Sequence, residues 1–276
     1  MKNLRSGRHL GAIAAIVMIA AGALSPACAS AQDLSDDWKF HGSIFLWMPT
    51  LSGTATVSGN NTTDFDVNFS KILNTLKMGA MGNIEAQKGR WGAFANLIYL
   101  HLEGATATTR DQAIDGVPVP ATINLNTDVD LKGVISTFGG SYRLLAEPGS
   151  SFDVVAGARY LWLDATLNYD LSVDFGSLAG PRRTGSRSAS GNTWDGIVGV
   201  KGRQAFGDNR EWFVPYYADV GTGQSKLTYQ AWVGLGYSFS WGEVIASWRY
   251  LDWKEPGDTL DKLTVNGPQL GVAWTW

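Results

Sequence analysis

Residues 226–253 constrain the chain more than any other stretch. "KLTYQAWVGLGYSF" and "EVIASWRYLDW" each alternate apolar and polar side chains, and only Ser240, Trp241 and Gly242 lie between them. In the first, Leu227, Tyr229, Ala231, Val233, Leu235, Tyr237 and Phe239 share one parity. Lys226, Thr228, Gln230, Gly234, Gly236 and Ser238 share the other, with Trp232 the exception. In the second, Val244, Ala246, Trp248 and Tyr250 oppose Glu243, Ser247 and Arg249. A period of two places the two sets on opposite faces of a strand. The same alternation sets Trp38, Phe40, Ile44 and Leu46 against Lys39, His41 and Ser43, and Val198 and Val200 against Asp195, Lys201 and Arg203. It closes the chain in "QLGVAWTW", where Leu270, Val272, Trp274 and Trp276 face away from Gln269, Gly271, Ala273 and Thr275.

Followed from end to end, the pattern predicts ten strands, near 38–49, 77–88, 91–103, 128–146, 151–170, 193–206, 212–221, 226–240, 242–253 and 263–276. Links after the even-numbered strands are tight ("KGR", "AEPGSS", "GDNRE", "SWGE"). Links after the odd ones are mostly longer, at 50–76, 104–127, 171–192, 222–225 and 254–262. Short turns on one side and longer loops on the other are the layout of an outer-membrane barrel with periplasmic turns. An even count returns the two chain ends to one side, with eight or twelve as the neighbouring solutions.

A soluble sandwich also alternates, and two features argue against it. The strands mostly exceed the usual five or six residues and suit the roughly 9–11 that a tilted membrane strand needs. Aromatic rings also gather near strand ends: Trp38, Trp91, Trp212, Trp241, Trp274 and Trp276 on the turn side, and Tyr99, Trp162, Trp194, Tyr250 and Trp253 on the loop side. Two such belts mark the edges of a bilayer. The expected fold is therefore all-β, a transmembrane antiparallel up-and-down barrel.

The front of the chain names a route to that membrane. Lys2, Arg5 and Arg8 precede an uncharged apolar run from Leu10 to Leu24, followed by Ala29 and Ala31 as an A-x-A cleavage site. This reads as a secretory signal peptide over residues 1–31, with the barrel domain spanning 32–276. Cys28, the single cysteine, lacks the Leu three places earlier that a lipobox requires, since Ser25 stands there. With the leader removed, 19 basic residues face 25 acidic ones, so no basic footprint for nucleic acid exists. Charged residues make up 17% of the chain, below the quarter typical of soluble domains. No stretch after residue 31 approaches 18 apolar residues, which leaves a closed barrel as the way to span.

Two resemblances point the same way. A terminal aromatic residue after alternating apolar positions resembles the closing strand of Gram-negative outer-membrane barrels, and the likeness implies the barrel-assembly machinery as a partner during biogenesis. The stretch "FLWMPTLSGTATVSG" together with "FDVNFSKILNTLKMGAMGNIEAQKGRWGAFANLIYLHL" resembles a group of uncharacterised proteobacterial outer-membrane barrel proteins. These share W-x-P…G, D-V-x-F-S-x-I-L and K-G-R-W-G, matched here over residues 40–103. The likeness implies fold and location and brings no activity.

The inward parity is expected to carry Lys39, His41, Glu85, Asp130, Lys132, Asp153, Arg159, Asp195, Lys201, Arg203, Asp219, Glu243 and Arg249. In a barrel little wider than those that side chains fill, these charges pair into a polar plug or line a narrow passage for ions and small solutes. Catalysis is not expected. An outer-membrane hydrolase acting on lipid or lipopolysaccharide would have to use His101, near the outer rim beside Glu103, and no H-x-S-N-like motif accompanies it. Without a Cys or a His cluster no metal or other cofactor is expected. "FGSLAGPRRTGSRSASGNT" reads as a flexible outer loop whose Arg182, Arg183 and Arg187 suit lipopolysaccharide phosphates. Phe69, Ile72, Leu73 and Leu76 fall at helical spacing and predict a short helix that lies on the outer leaflet or caps the mouth. Oligomeric state has no signature in the sequence.

Overall fold

The structure, a computed structural model, describes residues 36–58, 61–67, 69–110, 121–175, 178–257 and 260–276. The expected leader, its cleavage site and Cys28 lie outside the described residues. Among the described residues, twelve strands and one short helix follow one another: β1 Lys39–Trp47, β2 Thr50–Ser58, β3 Asn61–Val67, α1 Phe69–Thr75, β4 Leu76–Lys88, β5 Trp91–Arg110, β6 Ala121–Glu147, β7 Ser150–Phe175, β8 Leu178–Phe206, β9 Trp212–Gly223, β10 Leu227–Phe239, β11 Gly242–Gly257 and β12 Leu260–Thr275. All pairings are antiparallel. β1 and β4 through β12 form a ten-stranded ring that closes through β1 and β12, His41 opposite Thr275 to Trp47 opposite Gln269. Trp276 completes the closure by exchanging backbone hydrogen bonds of 2.9 Å with Phe40.

The wall follows from the sequence locally. Turns between β4 and β5, β6 and β7, and β10 and β11 leave two residues between paired strand ends, and Pro148–Gly149 shows why: Pro presets the first turn position and Gly149, at φ +76°, accepts the left-handed second one. Pro49, with no N–H to donate, follows the end of β1, and β2 resumes pairing with β12 at Thr50 opposite Asn266. β3 folds back on β2. The β1–β4 ladder is the shortest in the ring, ending at Ile44 opposite Gly82. Beyond that point Phe45 to Trp47 pair with β12, and the Trp47 backbone N–H donates to Met81 Sδ at 3.2 Å.

Strand lengths differ from expectation on the outer side. Much of 104–127 and 171–192, expected as loop, is ladder: β5 runs to Arg110, β6 starts at Ala121, β7 reaches Phe175 and β8 starts at Leu178. The segment holding Arg182, Arg183 and Arg187 is thus strand rather than flexible loop, paired with Ser172, Leu171 and Leu167. Backbone pairing satisfies the polar groups there, and small hydroxyl side chains add to it, with Thr166 and Ser188 bonded at 3.0 Å. The short helix forms at 69–75 with Ile72 buried, while Leu76 opens β4.

The outward face is apolar and belted. Ile44, Leu46, Ile84, Leu97, Val198, Val220, Val233, Leu235, Trp248 and Leu270 are exposed around the ring. On the turn side, Trp38, Phe40 and Trp276 stack in sequence at 6.1 Å, and Trp212, Tyr237, Phe239 and Trp241 form a second chain of ring contacts at 4.7–5.5 Å. Trp91 packs edge-on to Tyr142. On the other side Trp194 meets Tyr160 and Phe138, and Tyr250 stacks on Tyr229, while Tyr99 and Trp162 share the outward parity of their strands. A closed barrel wearing such a band is built for a bilayer.

Trp253 does not belong to this girdle. It shares inward parity with Arg249 and Leu251 and is 0% exposed. Its position at the strand end suggested a belt residue, but parity, not height, decides the face. Asp130 and Lys132 are corrected in the opposite sense. β6 pairs with β7 without interruption from Ala121 to Arg143, and its buried residues Ile135, Thr137 and Ser141 are odd-numbered. The even parity of Asp130 and Lys132 therefore points outward, with exposed Phe138.

Candidate functional site

The inward parity converges on the lumen, where the side chains sort into three levels. At the turn end a cavity of about 580 Å³ is lined by Lys39, His41, Glu85, Arg143, Asp153, Lys201, Arg203 and Glu243 among others. Its charges are mostly paired. Arg143 grips Asp153 with two parallel bonds, Nε to Oδ1 at 2.8 Å and Nη2 to Oδ2 at 3.1 Å, the bidentate geometry a guanidinium favours. Lys201 joins Glu85 and reaches Asp153 at 3.9 Å. Arg203 donates to Glu243 at 2.6 Å and to Ser238 at 3.2 Å, and His41 approaches Glu243 at 3.6 Å. Arg203 also lies 3.6 Å over the Phe213 ring, which has room because residue 236 is glycine; a Cβ there would stand 2.2 Å from that ring.

Above the vestibule sits a buried polar level. Arg159, 0% exposed, binds Asp219, donates to Thr137 Oγ1 at 3.2 Å and to Thr228 Oγ1 at 3.0 Å, and lies 5.9 Å from the Trp253 ring. Thr228 Oγ1–H in turn donates to the Asp252 carbonyl at 3.1 Å. Asp195 accepts the Ser225 backbone N–H at 2.9 Å. Arg249 donates to Asn96 Oδ1 at 3.2 Å and stacks over Phe45 and Trp47 at 4.9 and 5.5 Å. Asn96 in turn donates to the Gly82 carbonyl at 3.2 Å, on the last β1–β4 pair.

The third level, towards the long strands, is dry. Phe45, Trp47, Met81, Ile98, Ile135, Leu161, Leu251, Trp253, Leu263 and Val265 form one buried cluster drawn from seven strands. Trp47 anchors it by donating Nε1–H to the Gly267 carbonyl at 3.2 Å. The lumen is thus neither a plug of salt bridges throughout nor a charged passage throughout. It is polar at one end and apolar at the other.

Several participants escaped the sequence reading. Arg143 stands on the parity opposite Asp130 and Lys132, yet it is as far before Pro148 as Asp153 is after it, and a tight turn there makes the two partners. Asp252 sits on the outward parity and is nonetheless 0% exposed, accepting Thr264 Oγ1–H at 2.6 Å, with Lys262 at 3.8 Å. His101 and Glu103 do share a face, but it is the outer one, and Glu103 is taken by Lys77. Among the described residues no group of three or more His, Cys, Asp or Glu is arranged to hold a metal ion.

No family model matches the chain, and no curated protein matches it in sequence. Among solved structures, the barrel is similar to the outer membrane protease OmpT from Escherichia coli, 12% identical, with a TM-score of 0.56 over 90% of this chain and 99% of that one. The translocator domain of the autotransporter NalP from Neisseria meningitidis is 14% identical with a TM-score of 0.35, covering 96% of this chain and 95% of that one. Ail of Yersinia pestis is 12% identical with a TM-score of 0.33, covering 87% and 99%. The first likeness establishes the fold, that of a Gram-negative outer-membrane β-barrel.

Proposed function

We propose that this chain is an exported outer-membrane barrel whose lumen is a periplasm-facing vestibule closed from the outside, a structural and binding barrel rather than an open porin. Carrying this is the contact of fully buried Arg159 with Asp219, Thr137 and Thr228 directly beneath Leu251 and Trp253, both 0% exposed. An ion crossing that level would have to break a desolvated charge pair and then traverse an apolar layer, each step costing several kcal/mol. The short turns face the periplasm and the leader is removed after Ala31 in this reading, with the barrel-assembly machinery receiving the closing strand. Arg182, Arg183 and Arg187 then lie on the outer side, where their guanidinium forks suit lipopolysaccharide phosphates. Replacing all three by Ser should weaken lipopolysaccharide binding, and unchanged affinity refutes that contact. We assign no catalysis, because the carboxylate beside His101 is held by Lys77.

Planar-bilayer recording of the refolded mature chain tests closure. Wild type should give no steady single-channel steps, while Trp253→Ala combined with Leu251→Ala should give discrete ones. Steady conductance from verified folded wild type overturns the proposal.

A further inference from the structure

Of the inward cations of the vestibule and buried level other than exposed Lys39 at the rim, Arg143, Arg159, Lys201 and Arg203 each hold a carboxylate. Arg249 does not. It is 3% exposed, it donates a hydrogen bond to the neutral Asn96 amide, and its Nε has no partner among the described residues. Asp219, whose Oδ2 is bound by Arg159, attracts Arg249 without a hydrogen bond to it. The guanidinium sits on the wall of the 580 Å³ cavity, at its deep end. One row nearer the turns, Gln269 also lines the cavity and carries an unpartnered side-chain oxygen, Oε1. An amide can turn over to present its NH₂ in place of its oxygen. A buried charge without a hydrogen-bonded counter-charge is costly, and two under-used polar groups on adjacent rows of one cavity wall need a common explanation.

We propose that Arg249, with Gln269, forms an oxyanion-binding site at the deep end of the vestibule, taking the phosphate or carboxylate group of a small solute that enters from the open, turn-side mouth. Arg249 supplies the charge and a planar fork for two oxygens. The Gln269 amide donates to a third. Phe45 and Trp47 hold the guanidinium from behind, so little ordering remains to be done on binding. The site goes beyond the closed-barrel proposal and does not depend on it: a barrel that conducts and still binds oxyanions overturns closure alone.

Trp47 lies 5.5 Å from the Arg249 guanidinium and gives a native reporter. The full mature chain, refolded in detergent, is titrated with inorganic phosphate, with acetate, and with chloride at matched ionic strength while tryptophan emission is read. A saturable change with phosphate, acetate or both, and none with chloride, is expected; which of the two binds more tightly separates the phosphate from the carboxylate source. Arg249→Gln should weaken that binding by roughly tenfold or more, the scale of a lost charge-assisted bond. Gln269→Leu, which leaves the cation in place, should weaken it several-fold, and it serves as the test if Arg249→Gln fails to fold. Absence of any saturable oxyanion response in folded wild type overturns the site, as does a response that both folded variants retain unchanged.

Discussion

Strand β11 passes through both halves of the lumen on a single parity. Glu243 faces the vestibule and meets Arg203 and His41; eight and ten residues later Leu251 and Trp253 face the dry cluster. β1 makes the same passage from His41 to Trp47. The strands and the alternation are common to the two halves, so strand geometry alone does not open or close the lumen. Closure comes from a change in inward chemistry along each strand, from paired charges that tolerate water to side chains that exclude it. Interactions of one type should therefore differ in strength between the halves.

The sharpest break is Asp219→Ala. It strands the Arg159 charge in a site without solvent and should cost about 3–5 kcal/mol, read as a fall in the midpoint of urea unfolding in lipid vesicles. A loss below about 1 kcal/mol would mean that water reaches Arg159 and that the buried level is part of the vestibule. Next in size, Trp253→Ala should cost about 3–5 kcal/mol through the cavity it leaves, by the same assay. If Trp253 were a belt residue, the cost would instead depend on the lipid used. Glu243→Ala, which breaks the partly buried pair with Arg203 at the water-filled end, should cost about 1 kcal/mol and should become milder as salt is raised. Smallest of all is Lys77→Ser: the pair with Glu103 is open to solvent, and the unfolding midpoint should stay unchanged.

Legibility followed the same division. All ten wall strands were evident in the alternation, because period two is a property of neighbouring residues and needs no knowledge of the partner. The long outer ladders of β5 and β8 were not, since their Gly-, Ser- and Thr-rich ends have no apolar face to declare, whereas the outer ends of β6 and β7 do alternate, as in "LNYDLSVDF". Placing Asp130 and Lys132 inward reverses every side chain on β6 and hides Arg143, because a one-residue slip of parity exchanges the two faces of a strand. Trp253 was misplaced for a related reason: its height on the strand was read where its parity should have been.

What the sequence by itself determined is therefore the wall: a barrel-forming alternation, two aromatic belts and a set of inward residues. What only the tertiary structure decided is which of those inward residues meet. Arg159 and Thr228 are 69 positions apart, and Arg249 and Asn96 are 153 apart. Whether such pairs touch depends on the stagger of strands around the closed ring, which no local pattern encodes. That stagger brings Arg159 to Asp219, gathers apolar residues from seven strands above it, and leaves Arg249 on the cavity wall without a carboxylate of its own.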